Sequence, residues 1–209
     1  MNFDQQLFHL LNGGLTHPWL DYAMPIITDQ KNWLPFLAAI WFWLLLGRNG
    51  AHRRLAVLLV LIVIGADQMS SAVIKPLIRR ARPCCAEPNA RLLIPCKTSK
   101  SFPSSHAANT AGVAGVVWLE AGWRAGLPVW VIAVMVGYSR IYVGVHYPAD
   151  VLCGHLLGLL LGACLIFLAN RLWAKKINSP LSQDKTIVAT DSHSQHTGTD
   201  QSSDSSGSD

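Results

Sequence analysis

Three short polar stretches in an otherwise apolar chain contain residue types that could bind and attack a phosphate. They are KPLIRRARP at 75–83, FPSSHAAN at 102–109 and SRIYVGVHYPAD at 139–150. Arginine presents a planar fork of donors to the non-bridging oxygens of a phosphate, and lysine presents a point charge. The basic side chains that could surround such an anion are Lys75, Arg82 and Arg140.

The second stretch predicts a helix start that favours an anion. Pro103 followed by Ser104 and Ser105 is typical of a helix N-terminus, where free backbone N–H groups and the helix dipole attract negative charge. His106 lies in the first turn of this predicted helix and would be directed at the same place.

The third stretch contains a candidate nucleophile. His146 precedes Pro148, which indicates a helix start, and Asp150 follows four residues after the histidine. A carboxylate at that reach can accept the imidazole N–H, fix its tautomer and raise its nucleophilicity. One basic or imidazole side chain near the end of a span is usually structural. Matching residues in three stretches instead favour a phosphate pocket with its own nucleophile.

Apolar helices must carry these stretches, because the chain is 51% apolar and only 14% charged. A helix needs about 20 apolar residues to cross a bilayer. Five segments approach this length, at 32–47, 54–74, 106–122, 127–145 and 149–171. The third is rich in Ala and Gly, which let helices approach closely. We predict an all-α integral membrane bundle of about five spans, whose up-and-down topology brings the three polar stretches to one membrane face.

The two ends of the chain differ from this membrane domain, which we assign to residues 1–176. The N-terminus lacks the basic start and the long apolar stretch of a signal peptide. Its apolar residues recur at helix spacing, which predicts an interfacial amphipathic helix or, equally, a short helix packed on the bundle. These residues are Phe3, Leu7, Leu10 and Leu11. Residues 177–209 are mostly Ser, Asp, Thr, Gln and His, so we predict a disordered polar tail.

The net charge of +5 suits anionic head groups or phosphates better than nucleic acid, and no basic–aromatic interleaving is present. Counting Lys and Arg does not orient the chain, because both sets of connecting segments are basic. If the basic residues of 75–105 and Arg140 are reserved for an anion, segments 47–54, 120–126 and 171–176 face the cytoplasm. The tail is then inside and the N-terminus outside.

The spacing of these residues resembles the type 2 phosphatidic acid phosphatase superfamily, which includes vanadium haloperoxidases and bacterial acid phosphatases. The pattern is Lys, six residues, Arg-Pro; then Pro-Ser-x-His; then Ser-Arg, five residues, His, three residues, Asp. It covers residues 75–150, and the apolar frame extends the likeness over 1–176. The short N-terminus, compact loops and FPSSHAAN look most like bacterial undecaprenyl pyrophosphate phosphatases and related small lipid phosphatases.

The resemblance implies a role for each residue. His146 would attack phosphorus and form a phosphohistidine, with Asp150 orienting it. His106 would protonate the leaving oxygen and then activate water. The residues that would bind phosphate oxygens are Lys75, Arg82, Ser104, Ser105 and Arg140. The family usually has Gly at the position of Ser105, where the backbone N–H approaches phosphate, and serine can still offer that N–H.

The expected activity is hydrolysis of a lipid phosphate at the outer face of the bacterial inner membrane. Undecaprenyl pyrophosphate is the preferred substrate, giving the monophosphate and inorganic phosphate. Phosphatidylglycerophosphate, phosphatidic acid and a lipid A phosphate are the alternatives. The partners are thus the lipid substrate and the bilayer. Two rivals belong to other classes. The predicted spans and small size disfavour a vanadate-bound haloperoxidase, and the set of His106, His146 and Asp150 disfavours a non-catalytic lipid binder or flippase.

Neither a metal nor another cofactor is expected, because the sequence has no carboxylate cluster for Mg²⁺ and no zinc-like histidine spacing. Asp67 interrupts the second span, where an acidic group is costly and often functional. It could position Lys75 or Arg140, or simply tie helices together. In an oxidising compartment Cys96 could pair with Cys84 or Cys85, and three free thiols are the alternative.

Overall fold

The computed structural model describes residues 1–177, with side chains up to Trp173, and this part of the chain contains helices and no strand. We number its α-helices in chain order as α1 (Phe3–His9), α2 (Pro18–Thr28), α3 (Gln30–Leu46), α4 (Gly50–Gln68), α5 (Lys75–Ile78), α6 (Pro83–Ala86), α7 (Ser105–Ala121), α8 (Trp123–Tyr142) and α9 (Pro148–Ile177). The prediction of an all-α fold is confirmed.

Two π-helical segments interrupt or extend these helices. The first, Leu10–Gly14, continues α1, and the second, Met69–Ile74, joins α4 to α5. Asn49 begins this long helical run by accepting the backbone N–H of Ala51. The run ends at Arg79, whose backbone is left-handed with φ of 54°. A helical run of this length places Lys75 at the opposite end from Asn49.

Small residues allow α7 to pack closely against its neighbours. Ala107, Ala111 and Ala114 are buried. Gly154 of α9 lies so close to α7 that a Cβ there would be 2.6 Å from the carbonyl oxygen of Ser104. On another side, a Cβ at Gly112 would be 2.7 Å from the side chain of Ile62 in α4. The predicted close approach of helices along this segment is therefore present.

Within the described residues, three helical segments are long and apolar enough to cross a membrane. They are Gly50–Ala86, Trp123–Tyr142 and Pro148–Trp173. Helices α3 and α7 have 17 residues each, slightly below the length of a full span. Much of the outward apolar surface is exposed in the absence of lipid, as at Phe36 and Trp43 of α3. The total of five spans remains a prediction.

The N-terminal segment packs on the bundle through Phe8, which is outside the predicted apolar set, and through Leu11, which belongs to that set. Phe8 is fully buried in a cluster with Ile141, Tyr147 and Val151. Phe3, which belongs to the predicted apolar face, is 78% exposed. The segment is therefore a helix docked on the bundle, with part of its predicted apolar face left on the surface.

By compactness the chain divides into two units, Met1–Ile166 and Phe167–Asp209. In the second unit the structure describes the last turns of α9, where the Arg171 guanidinium lies 4.6 Å from the centre of the Phe167 ring. Apart from residue 177, the predicted tail at 177–209 lies outside the described residues.

Candidate active site

The end of the helical run from α4 supplies the first cation of the site. The Lys75 ammonium donates to the hydroxyl of Ser105 at 2.5 Å. Ser70 donates to the same hydroxyl at 2.9 Å, and the Ser71 hydroxyl lies 3.2 Å from it. Ser105 is thus fixed by three partners, and its orientation is coupled to the position of Lys75.

The start of α7 brings Ser105 and His106 close to Lys75, whereas the side chain of Ser104 caps the helix. The Ser104 hydroxyl accepts the backbone N–H of Ala107 at 3.5 Å, which caps the helix. Its own N–H donates to the carbonyl oxygen of Asp150 at 2.9 Å. Because Ser104 is fully buried and its polar groups are engaged in this way, it does not line the cavity described below.

The end of α8 and the turn after it contribute Arg140 and His146. Arg140 is buried, and its Nη1 donates to the hydroxyl of Thr28 at 2.6 Å, whereas its Nε has no partner among the described residues. The turn contains Gly144 at φ of 85°, a left-handed conformation that favours glycine. This turn lets the chain reverse between α8 and α9 and directs His146 inward.

Contacts on both ring nitrogens fix the tautomer of His146. Arg82 Nη1 lies 3.0 Å from His146 Nε2. A guanidinium has no acceptor, so Nε2 must accept and its lone pair is free of a proton. The proton is therefore on Nδ1, which lies 3.5 Å from Asp150 Oδ2. His146 is only 2% exposed, and this burial lowers its pKa to about 3, which keeps the imidazole neutral.

Asp150 lies behind His146 and does not line the cavity. It is fully buried. Its Oδ1 accepts from Arg80 Nη1 at 2.8 Å, and its Oδ2 accepts the backbone N–H of Tyr147 at 2.9 Å and the hydroxyl of Ser101. A buried carboxylate needs such partners to remain charged. The predicted pairing of His146 with Asp150 is thus present, with Arg80 and Ser101 as additional partners.

The side chains meet at a cavity of about 420 Å³. Six of the predicted site residues line it, namely Lys75, Arg82, Ser105, His106, Arg140 and His146. Ser104 and Asp150 lie outside the lining. Among the residues that sequence reasoning did not assign to the site, the lining includes Lys97, Lys100, Ser99, Asn109, Gln30 and Ser71.

The residues that sequence reasoning did not assign to the site differ in how clearly the sequence could have pointed to them. Asp67 and Lys75 both line the cavity, and the two predicted alternatives for Asp67 stay open. Thr28 and Arg80 carried no signal, because each acts through a contact across a large sequence separation. Lys97 and Lys100 were visible only as part of a generally basic loop.

A disulfide stabilises the loop that contains these lysines. Cys84 is bonded to Cys96, with a Cα–Cα distance of 6.1 Å, so the open choice between Cys84 and Cys85 falls to Cys84. Cys85 is a free thiol whose sulfur lies 3.4 Å from that of Cys96. In the described part of the chain these three sulfurs form the one cluster of potential metal ligands, and with two of them oxidised only Cys85 could ligate.

This fold and this cavity agree with the family comparison. The sequence pattern described as the PAP2 superfamily matches residues 55–174. The chain therefore belongs to the PAP2 superfamily. Together with its relatives, this membership makes it a lipid phosphatase and a multi-pass membrane protein.

Relatives within the superfamily are named for different substrates. A lipid A 4'-phosphatase of Bacteroides thetaiotaomicron is 33% identical over 83% of this chain and 80% of its own length. An undecaprenyl-diphosphatase of Sulfolobus acidocaldarius is 31% identical over 76% of this chain and 74% of its own length. The solved structure of a transmembrane PAP2-type phosphatidylglycerolphosphate phosphatase from Bacillus subtilis has a TM-score of 0.64 and 28% identity, and the match covers 82% of this chain and 88% of that one.

Proposed function

We propose that the chain hydrolyses its lipid substrate in two steps through a phosphohistidine at His146. The observation that carries this proposal is the 3.0 Å distance between His146 Nε2 and a guanidinium nitrogen of Arg82, both residues lining the cavity. When Arg82 donates to a phosphate oxygen instead, the Nε2 lone pair is released for attack. A phosphate oxygen bound by Arg82 would bring phosphorus next to the nitrogen that attacks it. Fixed cations and positioning provide most of the catalysis in phosphoryl transfer.

In the first step, Nε2 forms a bond to phosphorus while the bond from phosphorus to the leaving oxygen breaks. His106 donates a proton to that oxygen. In the second step, a water attacks phosphorus, His106 takes the proton from the water, and the bond to Nε2 breaks. Inorganic phosphate then leaves, and both imidazoles return to their initial states. Lys75, Arg82 and Arg140 would stabilise the charge on the phosphoryl oxygens in both steps.

The preferred substrate is undecaprenyl pyrophosphate, which yields undecaprenyl phosphate and inorganic phosphate. Its support is the number of cations, because Lys97 and Lys100 line the cavity in addition to the three basic residues expected for one phosphate. Two linked phosphates present more negative charge and more acceptor oxygens than a monoester. The two lysines would contact the phosphate that stays on the lipid.

A lipid A phosphate is the second candidate. It is favoured by the 33% identity to a lipid A 4'-phosphatase over 83% of the chain. The polar lining residues Asp67, Asn109 and Gln30 would also suit a head group with hydroxyls. Undecaprenyl pyrophosphate has no such hydroxyls, so the two candidates predict different uses of these residues.

We place the cavity at the outer face of the bacterial inner membrane. The Cys84–Cys96 disulfide supports this orientation, because disulfides form and persist in oxidising compartments. The cavity lysines Lys97 and Lys100 follow Cys96 directly in the same loop. A cavity that opens on that side would meet lipid substrates in the outer leaflet.

A substrate panel with phosphate release as readout tests these proposals. Detergent-solubilised protein would be given undecaprenyl pyrophosphate, lipid A, phosphatidylglycerophosphate and phosphatidic acid. The highest kcat/KM is expected for the pyrophosphate, and a higher value for lipid A would replace the first candidate by the second. His146→Ala in the same panel measures any contaminating phosphatase.

A double substitution tests the role of Lys97 and Lys100 in binding the pyrophosphate. Lys97→Met with Lys100→Met should lower kcat/KM for the pyrophosphate about tenfold or more, which is the size of a lost charge-assisted contact. The monoesters should lose much less. Lys31→Met is the matched control, because Lys31 is exposed and lies outside the cavity lining. An equal loss for pyrophosphate and monoesters would contradict the role of the lysines.

A further inference from the structure

We propose that Arg80 and Asp4 are positioning residues for phosphoryl transfer, so that the N-terminal helix α1 forms part of the catalytic apparatus. This inference rests on the proposed roles of His146 and Asp150. Neither Arg80 nor Asp4 lines the cavity, so both would act through Asp150 and the backbone next to His146.

Arg80 holds Asp150 by two routes. Its Nη1 donates to Asp150 Oδ1 at 2.8 Å. Its backbone carbonyl accepts the N–H of Ser101 at 2.9 Å, and the hydroxyl of Ser101 donates to Asp150 Oδ2. Both oxygens of the Asp150 carboxylate are therefore held by Arg80, one by its guanidinium and the other through Ser101. Since Oδ2 is also the atom facing His146 Nδ1, the direction of the imidazole depends on these contacts.

Asp4 fixes Arg80 in turn and holds the start of α9. Its Oδ2 accepts from Arg80 Nη2 at 2.5 Å, and its Oδ1 accepts the backbone N–H of Ala149 at 2.8 Å. The Asp4 carboxylate of α1 thus links the Arg80 guanidinium to the backbone of Ala149, the residue directly before Asp150. Asp4 therefore helps to set the position of Arg80 relative to Asp150, although it is almost 150 positions away from Asp150 in the sequence.

Further contacts from the same region hold Tyr147, the residue next to the nucleophile. The Arg80 guanidinium lies 3.9 Å from the centre of the Tyr147 ring. Phe8 of α1 packs edge-on against that ring at 5.4 Å. The Tyr147 hydroxyl donates to Glu87 at 2.8 Å, and Gln5 of α1 donates to the same carboxylate oxygen. The segment that follows His146 is therefore restrained from α1 and from Arg80.

A second cluster of the same composition provides a matched control. Asp21 pairs with Arg91 and accepts the Tyr142 hydroxyl at 2.6 Å, and the Arg91 guanidinium lies 5.6 Å from the Tyr142 ring centre. Neither side chain is hydrogen-bonded to Asp150 or His146 in the described residues. A general loss of stability on breaking an Asp–Arg–Tyr cluster should appear in both clusters, whereas a loss of positioning should appear only at Arg80.

The experiment compares Arg80→Met, Arg80→Lys and Asp4→Asn with Arg91→Met and Asp21→Asn. Each would be purified in detergent and assayed for KM, kcat and the rate of phosphoenzyme formation on the substrate found in the panel. We expect kcat to fall on the order of 10–100-fold in Arg80→Met and Asp4→Asn with KM little changed. Arg80→Lys should recover part of the lost kcat, because a lysine keeps a positive charge next to the Asp150 carboxylate. The two control variants should stay within about twofold of the parent, since neither touches the site.

Several results would overturn the proposal. One is a kcat within twofold of the parent in both Arg80→Met and Asp4→Asn. Another is an equal fall in the control variants, and a third is a rise of KM at constant kcat. If Arg80→Met does not fold, Asp4→Asn decides by the same criteria, because it conserves size and is not expected to recover activity. His146→Ala and Asp150→Asn run in parallel: full activity in these would reject the proposed site itself, whereas their inactivity with normal Arg80 variants would reject only the positioning role.

Discussion

His146 and His106 share one cavity but have opposite surroundings. His146 is 2% exposed and has contacts on both ring nitrogens, from Arg82 and Asp150. His106 is only half-buried, and no hydrogen bond to its ring is found among the described residues. One imidazole is held in a single tautomer by its neighbours, and the ring of the other has no such constraint in the described part of the chain.

The difference separates the two chemical tasks of the proposed reaction. A nucleophile benefits from a fixed lone pair, because orientation removes much of the entropic part of the barrier. A group that first gives and then takes a proton must reach a leaving oxygen and later a water. The surroundings of His146 suit the first task, and those of His106 suit the second. The following predictions test this contrast.

The largest effect is expected for His146→Ala, which removes the nucleophile. Turnover should fall on the order of 10⁴-fold or more, and no acid-labile phosphoenzyme should form with ³²P-labelled substrate. His52→Ala is the control, because His52 lies beside Trp43, outside the cavity lining, and should keep normal turnover. Substantial turnover in His146→Ala would reject the assignment of the nucleophile.

A smaller and more selective effect is expected for His106→Ala. Lipid turnover should fall about 10²–10⁴-fold, the usual contribution of a general acid–base. An aryl phosphate such as p-nitrophenyl phosphate needs no proton on its leaving group, so it should still phosphorylate His146. Because the second step lacks its base, the phosphoenzyme should accumulate. Failure to trap it with the aryl substrate would contradict the separation of tasks.

His146 should take up a proton at a lower pH than an ordinary histidine does. In the unfolded chain an imidazole takes up a proton near pH 6.5. In the folded protein the lowered pKa of about 3 keeps His146 neutral at that pH. Between these values the unfolded state binds the extra proton, so this group lowers stability as the pH falls from 6.5 towards 3.

¹⁵N-histidine NMR of the solubilised protein measures this directly, with His146→Gln to assign the signal. The His146 ring should keep the shifts of one neutral tautomer down to about pH 4. Correspondingly, phosphoenzyme formation should show no acid limb near pH 6.5 that is due to His146. A midpoint close to 6.5 for this signal would indicate an open, solvated imidazole at position 146 and would contradict the prediction.

Removal of metal ions should have no effect on kcat, which makes it the smallest change among these predictions. If two imidazoles and the surrounding cations perform both steps, excess EDTA should leave kcat unchanged. Parallel assays with added Mg²⁺ and Zn²⁺ give the comparison. Loss of activity in chelator, restored by one of these ions, would mean that the imidazoles do not act alone.

Sequence spacing predicted the residues that face the cavity better than those behind it. Lys75, Arg82, Arg140 and the two histidines lie in short stretches whose residue types state their chemistry. Arg80 differs, because its contacts reach Asp4 and Asp150, some 70 positions away in each direction. No local pattern encodes such a contact.

The open or missed points have equally physical causes. Ser104 is predicted to bind phosphate, and that role stays a prediction, but a serine at a helix start can also cap that helix with its hydroxyl, and here it does so. The first helix buries Phe8, which the predicted set of Phe3, Leu7, Leu10 and Leu11 left out, although Phe8 and Leu11 are three residues apart and pack in the same cluster. The choice of Cys84 over its neighbour depends on which side chain the short helix α6 directs at Cys96.

The π-helical segment Met69–Ile74 has a consequence for how the chain tolerates changes of length. A π-turn arises when one additional residue is accommodated in an α-helix. Deleting the additional residue would restore regular α-helical winding, and the helix beyond it would keep its facing. Lys75 would then still be directed at Ser105, whereas the same deletion in the regular part of α4 would rotate Lys75 by about 100° away from it. An in-frame deletion of one residue should therefore be better tolerated in Met69–Ile74 than in the preceding turns of α4.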